Sequence, residues 1–383
     1  MKVVLAFDSF KGSLSSAQAG SAAARAIRSV YPDAECDVIP LADGGEGTVA
    51  AVLEAAGGTG KQVAVNGPHG EPASAFVGMI RDGRGTDPTA VLETAGICGL
   101  TMVPEGRLDP FRASSRGVGE AILQLLDDGV RSFVIGLGGS AVNDGGMGML
   151  AALGAVFRDK EGNRLQGCGA DLLSAASADM DGLDPRLGAC AIRAATDVAN
   201  PLCGPSGATM VFGRQKGASP QQQEALDAAM KAYADMIEAS VGRALQAVPG
   251  AGAAGGLGFA LLAAGGELVP GAGWVTEAAG LRARVRGADW VVTGEGRSDG
   301  QTMYGKLPVH VADAAREAGA RCMLLSGSLG DHTEELEARF DGCFSITKEP
   351  AALADCMEQA EELLERTVRQ LFRLLRAAAD ERA

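Results

Sequence analysis

The sequence predicts an α/β protein in two parts. A three-layer α/β domain is built from both ends of the chain, residues 1–60 and 286–383, and is interrupted by a second α/β domain over 61–285. Three observations carry this reading. The first sixty residues alternate short apolar runs with helical patterns, as parallel strands joined by helical crossovers do. From residue 61 period-two runs flank a Gly/Pro-rich turn, the pattern of antiparallel strands. Near residue 286 the strand–helix rhythm returns.

Each element follows from its residues. VVLAF (Val3–Phe7) is a β-branched run, and Ser15–Val30 reads as a helix. Ser15 and Gln18 have capping-box spacing, and Pro32 closes the element. CDVIPLA is a second strand, and Gly44–Ala56 reads as helical with Gly57-Gly58 as its stop. KQVAVNGPHGEPASAFVGMI and then TAVLETA look antiparallel. Gly117–Leu126 reads as a helix, FVIGL as a strand, and Met147–Leu153 as a helix after a glycine loop. After 286, ADWVVTG, CMLLSG and CFSIT are strands, and Pro308–Ala318 is a helix with proline near its first turn. Leu353, Met357, Ala360, Leu364, Val368, Leu371 and Leu375 form a helical stripe that predicts core packing.

Composition narrows the function classes. The chain has 383 residues with 34 Lys+Arg against 48 Asp+Glu, a net charge of −14. That acidic balance, with no basic block, argues against nucleic acid as a partner. Eight cysteines contain no C-x-x-C pair, and His69, His310 and His332 are too scattered for a zinc site or a Ser-His-Asp triad. Buried reduced thiols are expected. The N-terminal apolar run ends at Asp8 and Lys11, too early for a signal peptide, and the uncharged stretch Ala244–Gly266 holds Pro249 and many glycines. A cytoplasmic protein with no membrane segment is expected. No heptad or exposed apolar stripe stands out, which leaves monomer and homodimer open.

The glycines cluster beside acids and hydroxyls in four loops: 8–13 (DSFKGS), 43–48 (DGGEGT), 138–146 (GGSAVNDGG) and 293–302 (TGEGRSDGQT). Tight turns alone use Asp and Gly. Three of these loops, however, follow strands of the terminal-derived domain, and ligands of open parallel sheets bind beyond the strands' carboxyl ends. Asp8, Lys11, Asp43, Glu46, Glu295, Asp299 and Lys306 should therefore converge. Backbone amides, cations and carboxylates in one place suit phosphoryl transfer. Gly250–Gly255 matches the dinucleotide fingerprint, but it follows a helical pattern and reads as a tight turn. Gly300–Lys306 matches G-x-x-x-x-G-K but continues with Leu307, so it lacks the hydroxyl of a P-loop, although a helix start there suits an anion.

Together with ATDVANPLCGPSGA (195–208), QKGA (215–218) and PGAGAAGGLG (249–258), the motifs DSFKGS, LADGGEGT, GLGGSAVNDGG and TGEGRSDGQTMYGK resemble those of the class I glycerate kinases, in consistent order along the chain. The resemblance implies ATP-dependent phosphorylation of D-glycerate, with 2-phosphoglycerate the usual product of the class. It also implies a flavodoxin-like domain interrupted by a domain likened to the restriction-endonuclease fold. Two departures are visible: Arg214 stands where the family more often has proline, and His310 where a small residue is common.

On this basis Lys11, Asp43 and Asp197 are the expected catalytic residues, with Asp197 as the proton acceptor. Asp8, Ser9, Arg297 and Lys306 are expected around D-glycerate. Gly138, Gly139, Ser140, Asn143, Asp144 and Lys216 are expected around the nucleotide, and Glu46 and Asp299 near Mg²⁺, with Asp43 an alternative ligand. Asp8 could exchange roles with Asp43 or Asp197. Two further readings remain open: a kinase for another small hydroxy acid, and a nicotinamide-dependent hydroxy-acid reductase. A non-catalytic metabolite sensor is disfavoured by the full set of loop acids and lysines.

Overall fold

A computed structural model describes residues 1–81, 88–303, 305–331 and 333–380. The chain opens with β1 (Lys2–Leu5) and β2 (Glu35–Val38), separated by a helix over Ser16–Val30. The capping box forms as its spacing predicts. Ser15 Oγ accepts from the Gln18 amide at 3.2 Å, and Gln18 Oε1 accepts from the Ser15 amide at 2.8 Å. Such a cap is worth about 1 kcal/mol.

The strands continue with β3 (Thr59–Asn66), β4 (Pro72–Ile80), β5 (Thr89–Glu93), β6 (Ser132–Gly136), β7 (Val156–Arg158), β8 (Ser177–Asp179), β9 (Ala191–Ala195) and β10 (Glu267–Val269). They end with β11 (Trp290–Thr293), β12 (Arg297–Ser298), β13 (Arg321–Ser326), β14 (Ser328–Leu329) and β15 (Gly342–Ser345). Two compact units result. One comprises 1–43, 50–56 and 271–383, the other 44–49 and 57–270.

In the first unit β15-β13-β11-β1-β2 form one parallel sheet. Counted along the chain this is the 2-1-3-4-5 order of flavodoxin-like folds, whose ligand site lies beyond the carboxyl ends of the first and third strands. Helices cover both faces. Leu325 packs into one apolar cluster with the helices Ser16–Val30 and Ala360–Asp380, while its neighbour Leu324 joins Val309 and Leu336 in another. Successive strand residues point to opposite faces, so the two clusters are the two sides of a three-layer domain. The helices over 271–278 and 281–284, which the sequence reading assigned to the inserted stretch, pack beside the helix Leu307–Glu317 in this unit.

The second unit holds a mixed sheet, β10-β9-β6-β5-β4-β3. β3, β4 and β5 pair antiparallel, and β5, β6, β9 and β10 pair parallel. Its core includes Phe133, Phe157, Tyr233 and Phe259. Every residue of the helix Ala253–Ala263 is buried, and its first turn is not regular: Ala254, Gly255 and Gly256 have φ of 51°, 67° and 97°.

Three expectations shift. The segment expected to be helical from Gly44 forms a loop until Thr48, because Gly44 and Gly47 take φ of 88° and 85°. The C-terminal stripe divides into helices Leu353–Glu358 and Ala360–Asp380, and Leu353 is 76% exposed while Leu364 and Val368 are buried. All eight cysteines are free, but only Cys98 and Cys322 are fully buried. Tyr304 and His332 lie outside the described residues, and His310 is half-buried on its helix. Among the described residues no helix is long and apolar enough to cross a membrane.

Candidate active site

In the first unit the loops after β1, β2 and β11 leave the same edge of the sheet and bring Asp8, Lys11, Asp43 and Glu295 into one electrostatic cluster. Lys11 Nζ donates to Asp43 Oδ2 at 2.7 Å. Partial desolvation opposes the Lys11 charge, but Asp43, with Asp8 and Glu295 behind it, outweighs this and raises its pKa. Asp8 is 4% exposed. Burial, and then the Asp43 charge, push its carboxyl well above the usual range, against the pull of Lys11 and the Ser9 amide. That amide donates to Asp8 Oδ1 at 2.7 Å. The arrangement is a proton-avid carboxyl beside a fixed cation, at the place in the sheet order where such folds bind ligands.

The loop after β11 is held from within. Glu295 Oε1 accepts from Ser298 Oγ at 2.9 Å and Thr302 Oγ1 at 2.8 Å, and Ser298 Oγ lies 2.7 Å from Ser326 Oγ. Burial raises the Glu295 pKa, with Lys306 the leading opposing charge at 3.9 Å. Arg297 stays exposed, its Nε 3.4 Å from Asp299 Oδ2. Ser9 and Lys306 are half-buried at the same strand ends.

In the second unit β6 ends in the Gly138–Gly146 loop. Gly139, at φ 70°, is exposed. The backbone bonds around it run from Leu100 to the Gly139 carbonyl and from Ala141 to Cys98. The Gly139 and Ser140 N–H groups donate to no described acceptor. Amides without acceptors in such a turn can bind an anion. Asp197 is half-buried after β9 and Glu46 is exposed. No three of His, Cys, Asp and Glu are grouped to cage a metal among the described residues.

The profile of the glycerate kinase family matches residues 3–376. The chain belongs to the glycerate kinase family. It is 43% identical to a glycerate kinase of Bacillus subtilis (strain 168), covering 99% of this chain and 98% of that one. It is 41% identical to a glycerate 2-kinase of Escherichia coli (strain K12), covering 97% of each. A crystal structure of a Salmonella typhimurium LT2 protein, provisionally named glycerate kinase 2, superposes with a TM-score of 0.84 at 43% identity over 99% of both chains.

Within this glycerate kinase fold several expected nucleotide residues lie inside the core. Asn143 is fully buried and its Nδ2 donates to Thr209 Oγ1 at 3.0 Å. Asp144 is fully buried and accepts from Ser115 N, Ser115 Oγ, Gly146 N and Gly148 N at 2.7–3.2 Å. Lys216 is buried beneath that loop. The glycine triplet that resembles a dinucleotide fingerprint is a buried turn. A Cβ on Gly255 would meet the Val142 carbonyl, and one on Gly256 would meet Gly145.

Residue-by-residue reading missed the supports behind the loops. Glu93 accepts from the Gly47 amide at 3.3 Å and the Val49 amide at 3.0 Å, capping the helix Thr48–Ala56. Thr94 Oγ1 reaches the Gly136 and Gly138 carbonyls at 3.0 and 2.9 Å. A Glu-Thr pair at the end of a buried strand was the available signal.

Proposed function

We propose that the protein phosphorylates D-glycerate from ATP, at the 2-hydroxyl, giving 2-phosphoglycerate and ADP. Membership of the glycerate kinase family supports the substrate class. The E. coli relative's name supports the 2-position. The single structural observation that carries the reading is the Asp8–Lys11–Asp43 cluster beyond the carboxyl ends of the parallel strands. Phosphoryl transfer through a loose transition state asks mostly for positioning and for charge stabilisation, with a proton acceptor near the attacking hydroxyl.

In this reading Lys11 and Arg297 face the substrate carboxylate or the transferring phosphoryl group. Asp43 fixes Lys11. Asp8, with Ser9 at its side, accepts the hydroxyl proton, because it alone of the three candidate aspartates combines burial with a raised proton affinity in the described cluster. Lys306 neutralises Glu295 and keeps the β11 loop in place. Gly139 and Ser140 hold phosphates through their amides, while the Gly138 amide donates to the Gly44 carbonyl at 3.3 Å and fixes the start of that loop. In the first unit Asp299 would hold Mg²⁺ through its waters, and that ion would neutralise charge on the nucleotide phosphates. In this reading the protein works as a monomer or homodimer in the cytoplasm.

A coupled ADP-release assay with D-glycerate, Mg²⁺ and ATP, followed by phosphorus NMR of the product, tests this. Turnover yielding 2-phosphoglycerate is expected. Folded protein that releases no ADP above background would refute the activity, and 3-phosphoglycerate as product would refute the regiochemistry alone.

A further inference from the structure

Lys216 is the only lysine with a buried side chain among the described residues, at 2% exposure. It closes a short turn over Arg214–Lys216, and the next residue, Gly217, takes φ of 98° against the Leu108 carbonyl, where a Cβ would collide. The backbone there is pinned. Lys216 Nζ donates to the Val142 carbonyl at 2.6 Å and lies 3.3 Å from Ser140 Oγ. Those acceptors flank Ala141, directly after Gly138 and Gly139. No carboxylate forms an ion pair with Lys216 among the described residues, and Asp144, the nearest opposing charge, is committed to four other donors.

A buried ammonium with two neutral acceptors costs stability. Packing alone would be served by methionine, which has similar volume and no charge. The charge gains a purpose from the loop it supports: the amide of Gly139, an exposed residue, and that of Ser140, a buried one, have no acceptor among the described residues. We propose that Lys216 is a positioning residue that fixes the Gly138–Val142 loop from below and supplies the positive potential by which its amides bind a nucleotide's phosphates, without touching them. The inference rests on the kinase reading above and gives Lys216 a role the motif alone does not.

Protonation provides the handle. Burial lowers the Lys216 pKa to about 8, against smaller opposing effects of Cys98 and Asp144. These are the titratable groups that face it: Cys98 from the short helix Ala95–Cys98, its thiol held far above the ordinary range by burial, and Asp144 from its own loop, raised by burial. The Lys216 proton is lost from the native state before the unfolded one. On this group's account stability therefore rises as pH climbs from about 8 toward the ordinary lysine range. The potential beneath the loop disappears over the same interval. Nucleotide affinity and this contribution to stability should move in opposite directions, which a merely structural lysine would not produce.

The experiment titrates full-length protein, without glycerate, with the Mg²⁺ complex of a non-hydrolysable ATP analogue by calorimetry from pH 6.5 to 9.5. Wild type and Lys216→Met are compared, with melting temperatures beside them. The wild type should lose affinity by about tenfold across an alkaline step near pH 8. Lys216→Met should bind roughly ten- to hundredfold more weakly at pH 7, the scale seen when a group supporting a ligand site is removed, and should show no step. It should melt no lower than the wild type. Equal affinity of the two proteins at pH 7, or the same step in both, would overturn the proposal. Should Lys216→Met fail to fold, a wild type without the alkaline step overturns it equally. A wild type that binds the analogue with the step yet phosphorylates no glycerate would sink the activity reading and leave this one standing.

Discussion

Asp144 separates a structural role from a nucleotide-binding one with a measurable energy. Its Oδ2 accepts from Ser115 N at 2.8 Å, Ser115 Oγ at 2.7 Å and Gly148 N at 3.2 Å, and its Oδ1 accepts from Gly146 N at 3.0 Å. Ser115 Oγ in turn accepts from Met149 N at 3.0 Å, so the carboxylate ties together the starts of the helices Arg116–Asp127 and Met147–Ala152. In Asp144→Asn the least costly orientation keeps the amide oxygen where Oδ2 was and turns the NH₂ toward Gly146. The Gly146 N–H and the new NH₂ group are then both left without acceptors, at about 1–3 kcal/mol for each group. Three charge-assisted bonds become neutral ones of roughly half the strength. Removing a buried charge offsets part of this, for a net loss of about 2–4 kcal/mol. Asp144→Ala orphans all four donors and should lose about 4–8 kcal/mol, close to the whole stability of an ordinary domain.

The assay is urea denaturation of wild type and Asp144→Asn, followed by far-UV circular dichroism and by tryptophan fluorescence. Both tryptophans, Trp274 and Trp290, belong to the first unit, so fluorescence reads that unit and dichroism reads both. The dichroism midpoint should fall while the fluorescence midpoint moves less, and the KM for ATP at low temperature should change little. An unchanged dichroism midpoint together with a KM for ATP raised tenfold or more would refute the argument and return Asp144 to the nucleotide.

Further outcomes follow from the same geometry. Lys11→Ala and Asp43→Asn should each reduce turnover by about a hundredfold or more in the coupled assay, as loss of a transition-state charge does. Each should cost under about 1 kcal/mol in stability, because the pair is largely solvated on the Lys11 side. Asp8→Asn should abolish most turnover and yet raise the melting temperature at pH 7. The raised carboxyl pKa means that the native state binds the proton more tightly than the unfolded one, so wild-type stability falls as pH rises through that interval. The advantage of the variant should shrink toward zero in melts below pH 4, and a variant less stable than wild type at pH 7 would contradict the sign. Gly255→Ala, at φ 67° with the Val142 carbonyl where its Cβ would sit, should lose about 3 kcal/mol or more in urea titration.

The fold was legible wherever local chemistry and the sheet agreed. Ser15, Gln18 and Pro32 mark one helix by capping and breaking, and β1, β11 and β13 are short runs inside the sheet with both faces covered, so their apolar character is continuous rather than alternating. Legibility failed where glycine replaces pattern with backbone conformation. Gly44 to Gly47 continue an apparent helix in sequence, yet two of the glycines occupy the left-handed region and delay the helix to Thr48. Leu353 keeps helical spacing with the stripe that follows, but Gln359 caps a separate helix and leaves it in solvent.

For the site, sequence spacing reveals residue types and not which of them face a ligand. Asp8 and Asp144 each stand in an Asp-Gly-Ser-rich loop after a strand, and nothing local tells them apart. Four converging donors make Asp144 a tie between helices, while the Asp43 charge and a single amide make Asp8 a carboxyl with unspent capacity. The distinction is one of satisfaction. A buried acceptor whose donors are all in place is finished as structure, and one held at a raised proton affinity with an unfilled oxygen is poised to exchange a proton with whatever enters. The same criterion picks out Gly139 and Ser140, whose amides lack acceptors among the described residues, from Asn143, whose amide already has Thr209. On the proposal above, Lys216, at 2% exposure, serves the site by charge and not by contact. In each unit, then, the groups the fold leaves open are the ones the proposed reading gives to a ligand.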